Sequence, residues 1–177
     1  MGADGPVGDV VAAIMEIDSR LRATRDADPR FELDSSLVTG PPDAAARLTD
    51  GYLTVVYLFM TWFCRSYEAG GRDRSDALGR VVAMLVSRLK AMPVNVRPSV
   101  IPTMTALVTA CALEVSPNRW REQYRDGWYR DEVAALQLSA LLLAEWINKL
   151  QESPDAALRL IMDAYERIEA DHGPQPG

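Results

Sequence analysis

The stretch RWREQYRDGWYR, residues 119–130, holds four arginines and four aromatic residues in twelve positions. Guanidinium groups beside indole and phenol rings suit anion recognition and the anchoring of partner proteins. Three partners therefore come into question: a nucleic acid, an anionic small molecule, or the chain's own core. Glu122, Asp126, Asp131 and Glu132 balance Arg119, Arg121, Arg125 and Arg130, and a surface that tracks phosphates is not neutralised by its own neighbours. A nucleic-acid partner is not expected. On a helix Trp120, Tyr124 and Trp128 share one face, with Arg121 and Arg125 on the adjacent stripe. Ser116 and Pro117 supply a helix start and Asp126-Gly127 a turn.

Two readings of this stretch follow. In the plainer one it is a short helix whose aromatic side seals the core, with its arginines paired at the rim. In the sharper one residues 117–130 form the lid of a binding site. Trp120, Arg121, Tyr124, Arg125 and Trp128 then meet a ligand or partner, and Thr105 and Thr109 add hydroxyls from a neighbouring helix, although helical Thr commonly satisfies its hydroxyl on its own backbone.

Catalytic chemistry finds little to work with. The only imidazole is His172, which removes the Ser-His-Asp, Cys-His and most zinc-hydrolase constellations together. Glu169 and His172 have the Glu-x-x-His spacing of di-iron bundles, but such bundles need the pair twice. Glu152 with Asp155 and Glu166 with Glu169 have a spacing used by magnesium carboxylates, yet Ser153 and Pro154 already account for the first pair as a helix start. No glycine loop has the spacing that cradles phosphate. No catalytic residue, metal ligand or cofactor is assigned, and an enzyme is the least supported class.

The composition narrows the setting. A net charge of −6 disfavours binding to polyanions. Seventeen of the nineteen basic residues are Arg, the exceptions being Lys90 and Lys149; with abundant Ala, this bias suggests GC-rich coding and a bacterial source. Cys64 and Cys111 lie in apolar stretches and are expected as buried, free thiols. The start MGADGPVGDVV lacks the basic and apolar regions of a signal peptide. The apolar runs 52–64 and 100–115 are shorter than the roughly 20 residues of a membrane span. A soluble, cytoplasmic protein with no membrane partner is the expectation.

The elements that must position these residues are all helical. Val10, Ile14, Ile17 and Leu21 give the first helix an apolar stripe. Residues 24–42, with Pro29, Gly40, Pro41 and Pro42, read as a long connection or arm. A second helix is expected to begin near Pro42 to Asp43 and run to about Ala69, stopped by Gly70 and Gly71. A third follows Ser75 as N-cap, with Leu78, Val82, Leu85 and Leu89 in line. The fourth begins near Pro98 and has no charge from Val100 to Leu113; its small residues place it at the centre of the bundle. The fifth covers 131–151, and the sixth takes Ser153 as N-cap and Pro154 as its first residue. No alternating β-branched run appears. The fold class is all-α, a single-domain bundle of five to six helices with 1–8 and 172–177 as tails.

Three apolar stretches, 52–64, 100–115 and 133–147, all demand burial. The most natural function is therefore a non-catalytic interaction protein, pairing with itself or with another protein. The alternative is a binder of a small apolar or anionic ligand, held in a cavity between the second, fourth and fifth helices.

Overall fold

The computed structural model describes residues 7–26, 42–91, 98–122 and 130–171. It is all-α: six helices of 13 residues or more and one short helix, with no strand among the described residues. In chain order they are α1 (Val7–Asp26), α2 (Pro42–Ala69), α3 (Arg74–Ala91), α4 (Val100–Ala112), α5 (Pro117–Glu122), α6 (Arg130–Leu150) and α7 (Ala156–Asp171).

The apolar periodicity explains the packing. Val10, Ile14, Ile17 and Leu21 are all buried, and α1 lies along α2 over the longest helix-to-helix contact in the bundle. The apolar helices α2, α4 and α6 touch one another pairwise, α3 closes against all three, and α7 packs on α6 and α1. Phe63 marks the meeting of α2 and α6. Its ring stands edge-on to Trp62 at 5.2 Å and tilted against Trp146 at 4.9 Å, the offset geometries that aromatic quadrupoles favour.

Three helices end the same way. At the close of α2, Arg72 N–H donates to the Tyr67 carbonyl and Gly71 N–H to that of Glu68, with Gly71 left-handed at φ 72°. At the close of α4, Val115 and Glu114 repeat those bonds to Ala110 and Cys111, and at the close of α6 Ser153 and Glu152 repeat them to Asn148 and Lys149. This pair of bonds satisfies carbonyls that a helix end would otherwise leave open. In the last two the left-handed residue is a glutamate, Glu114 at φ 61° and Glu152 at φ 49°, where a Cβ costs energy that glycine avoids.

Several boundaries differ from expectation. Residues 24–26 belong to α1 and Pro42 to α2, so both ends of the expected 24–42 connection are helical; 27–41 lie outside the described residues. The cap of α3 is Asp73 rather than Ser75: its Oδ1 accepts from the Ser75 N–H, and its carbonyl from Asp76 and Ala77. α7 starts at Ala156, with Pro154 in the preceding turn and Ser153 Oγ donating to Asp155 Oδ1. That hydroxyl is the main reason the Asp155 carboxyl sits below its usual range.

The larger correction concerns α4. Its buried stripe is Val100, Met104, Leu107, Val108, Cys111 and Ala112, while Pro102 and Ala106 are exposed and Thr105, Thr109 and Ala110 half-buried. The helix is not enclosed all round. Thr105, Ala106, Thr109 and Ala110 face outward, while the large side chains and Ala112 fill the space toward α2, α3 and α6.

Candidate functional site

The outer side of α4 carries an open groove of about 590 Å³. Thr105, Ala106, Thr109 and Ala110 form its floor, Ile101 and Pro102 stand at one end, and Leu113 and Val115 at the other. None of the eight is charged, in a chain where one residue in four is. Leu113 is 67% exposed, among the described residues the most exposed large apolar side chain. Small residues in the middle of a helix face and large ones at its ends make a saddle, a shape into which another helix can settle.

The hydroxyls on this floor are turned back on their own helix. Thr105 Oγ1 donates to the Ile101 carbonyl at 2.9 Å and Thr109 Oγ1 to that of Thr105 at 2.8 Å. Thr54 and Thr61 do the same on α2. Such bonds leave the methyl groups as the outward chemistry and remove the need for a polar partner. The face is therefore apolar in effect, although it contains two threonines.

Trp120 lies elsewhere. It is 7% exposed, part of the same continuous core as α2, α4 and α6. The start signal read at Ser116 is present: Ser116 Oγ accepts from the Arg119 N–H, and Pro117 opens α5. Arg121 belongs to α5, but its side chain, together with Tyr124, Arg125 and Trp128, lies outside the described residues. The structure thus brings Thr105 and Thr109 together on the groove floor and puts Trp120 in the core.

Above the groove's C-terminal end, Arg74 joins three helix ends. Its Nε donates to Glu68 Oε1 at 2.9 Å, and its Nη1 to Glu114 Oε1 at 2.9 Å and to the Ala112 carbonyl at 3.2 Å. Donating to the Glu68 and Glu114 carboxylates favours the charged guanidinium. α3 is thereby tied to the last turns of α2 and α4.

The buried reactive groups are held in unreactive forms. Burial pushes the Cys111 thiol up to about 12 and also raises that of Cys64, so neither presents the thiolate that nucleophilic or redox chemistry requires. Tyr52 is 1% exposed, and no hydrogen bond of full geometry reaches its phenol oxygen. Burial first, then the charge of Glu16, which stands beside it as a looser acceptor, hold that phenol well above the tyrosine range. Among the described residues no three His, Cys, Asp or Glu side chains gather as a metal site would require.

Sequence reasoning missed Asn148. Its Nδ2 donates to the Pro154 carbonyl and its Oδ1 accepts from the Ala157 N–H, both at 2.8 Å. Asn148 thus caps α7 from the end of α6. The signal was spatial, since cap and capped residue are nine positions apart.

Among the described residues, α6 is long and apolar enough to cross a membrane, and 61% of that window is buried inside the bundle. Core packing accounts for such a helix. Comparison with protein-family models, with curated proteins and with solved structures yields no match.

Proposed function

We propose that the chain is a non-catalytic interaction protein that docks another protein on the outer face of α4. The observation that supports this most directly is the uncharged groove between Ile101 and Leu113. A face with apolar ends, a floor of small residues and hydroxyls already satisfied can be covered without stranding a charge or a donor. Buried protonated thiols and the shortage of imidazoles supply no rival chemistry among the described residues. Free, buried cysteines and an arginine-rich, alanine-rich composition suit a bacterial cytoplasm, where thiols stay reduced.

The alternative is a small apolar ligand. The groove's volume lies within the roughly 300–1,000 Å³ of ligand sites, but it is open, whereas such ligands are mostly enclosed. Thermal denaturation with medium-chain fatty acids and aromatic carboxylic acids separates the two. A docking face gives no saturable rise in melting temperature. A saturable rise that disappears in Ala106→Trp, where the indole fills the floor, would overturn the proposal in favour of a ligand site.

A further inference from the structure

Independently of the α4 face, we propose that the α2–α3 corner is a binding site for the dianion of a phosphate monoester, held by the guanidiniums of Arg72 and Arg80 beside the Tyr67 ring. Pairing sets these two cations apart. Arg20, Arg22, Arg74, Arg159 and Lys149 each hold a carboxylate at 3.2 Å or less. Among the described residues neither the Arg72 nor the Arg80 guanidinium meets a carboxylate or donates a hydrogen bond, and both residues are exposed. Their guanidinium carbons stand 5.4 and 5.9 Å from the centroid of the same Tyr67 ring.

The fold brings the two cations there from different elements. Tyr67 lies in the last turn of α2, and the turn that closes that helix returns the Arg72 N–H to the Tyr67 carbonyl at 3.0 Å. Arg80 reaches the same ring from α3, whose root Arg74 ties to the ends of α2 and α4. An aromatic face attracts a guanidinium without accepting its N–H bonds, so each fork keeps its five donors for an anion. The approach is open, since nothing lies within 4 Å of where a Cβ would stand at Gly71. The carboxylates of this stretch do not fill the site. Glu68 is taken by Arg74, Asp73 accepts from the Ser75 N–H, and Asp76, one turn before Arg80, leaves it unpaired.

Charge selects the ligand. Two uncompensated cations beside one ring match a phosphate monoester, which carries about −1.5 to −2 at neutral pH and three acceptor oxygens. A carboxylate carries one charge and satisfies one fork. An extended polyanion fits worse, because residues 72–90 interleave two acidic side chains with five basic ones in a chain of net −6. The phosphate belongs either to a free small molecule or to a phosphorylated side chain of a partner protein, and the chemistry at the two forks is the same. Because both arginines stand in water, the contact is weak and loosens as salt rises.

Titration of the isotope-labelled full chain at low salt, read at the arginine Nε–H resonances, tests this. Glycerol phosphate and a short peptide carrying one phosphoserine should each shift the Arg72 and Arg80 signals saturably, and whichever binds more tightly identifies the source of the phosphate. Affinity should rise from about pH 5 to about pH 7.5, as the ester loses its second proton near pH 6. Arg72→Gln and Arg80→Gln should each raise the dissociation constant at least about fivefold, with melting temperatures equal to the parent's because both side chains are exposed. Arg72→Lys/Arg80→Lys keeps the charge but loses the forks and should bind more weakly than the parent. Asp76→Asn, which removes the carboxylate one turn from Arg80, should bind more tightly. Absence of a shift at either guanidinium with tens of millimolar of both phosphates overturns the site. So does equal binding of the same peptide with glutamate in place of phosphoserine, or affinity unchanged in Arg72→Gln/Arg80→Gln.

Discussion

Asn148→Ala offers the sharpest test of how the bundle is held together. The side chain is 9% exposed and makes two hydrogen bonds at 2.8 Å, one to the Pro154 carbonyl and one from the Ala157 N–H. Each bond contributes about 1 kcal/mol net, and Ala157, only 2% exposed, would keep a buried N–H without a partner at a further cost of about 1–3 kcal/mol. The expected loss is about 3 kcal/mol, a large share of the roughly 5–15 kcal/mol that stabilises a domain. Urea denaturation followed by circular dichroism measures it, with the midpoint falling and the slope unchanged. Asn148→Asp keeps the acceptor for Ala157 but loses the donor to Pro154. Its deficit should shrink in acid, as the carboxylic acid regains a proton to donate. A loss below about 1 kcal/mol for the alanine variant would refute the idea that α7 is capped from α6.

Base should destabilise the protein through groups it keeps protonated. Unfolded chains release the Cys111 proton from about its ordinary 9.0 and the Tyr52 proton from about 10.0, whereas the folded state holds both higher. Stability is thus fully present below pH 9 and falls as pH rises, by up to about 1.4 kcal/mol per pH unit per group. Cys111→Ala should flatten the loss that begins near pH 9, and Tyr52→Phe the added loss above 10, in urea titrations at stepped pH. Native thiols should react with a disulfide reagent no faster than the chain opens; rapid modification of Cys64 or Cys111 in the folded protein would contradict their burial. Glu152→Gly should stabilise by about 1 kcal/mol by relieving the left-handed residue, while Gly71→Ala, with open space around it but φ 72°, should cost a similar amount. Leu113→Asp should leave unfolding within about 0.5 kcal/mol of the parent, because the side chain already faces solvent; a larger loss would mean the α4 face serves the fold itself.

The limits of sequence reading follow from the same details. α2 was legible at both ends because Pro42 opens it and Gly70-Gly71 closes it, and α1 showed its buried stripe in the spacing of Val10, Ile14, Ile17 and Leu21. The ends of α4 and α6 gave no such sign, since their left-handed positions hold Glu114 and Glu152, residues that nothing local marks for that conformation. In α4 the failure was of direction. A stretch without charge has no polar face to identify the outside, so small residues that suggested close packing at the centre proved to line the surface. Thr105 and Thr109 had two readings, hydroxyl donors to a ligand or threonines bonded to their own helix, and the fold shows the second, with both donating to carbonyls four residues back. Trp120 and its helix start at Ser116-Pro117 were readable, because both signals are local.

Arg74 gives the bundle a salt-sensitive joint. One guanidinium joins the root of α3 to the last turns of both α2 and α4, so Glu68, Arg74 and Glu114 share a single corner of the bundle. Both carboxylates stand partly in water, so this tie weakens as salt rises.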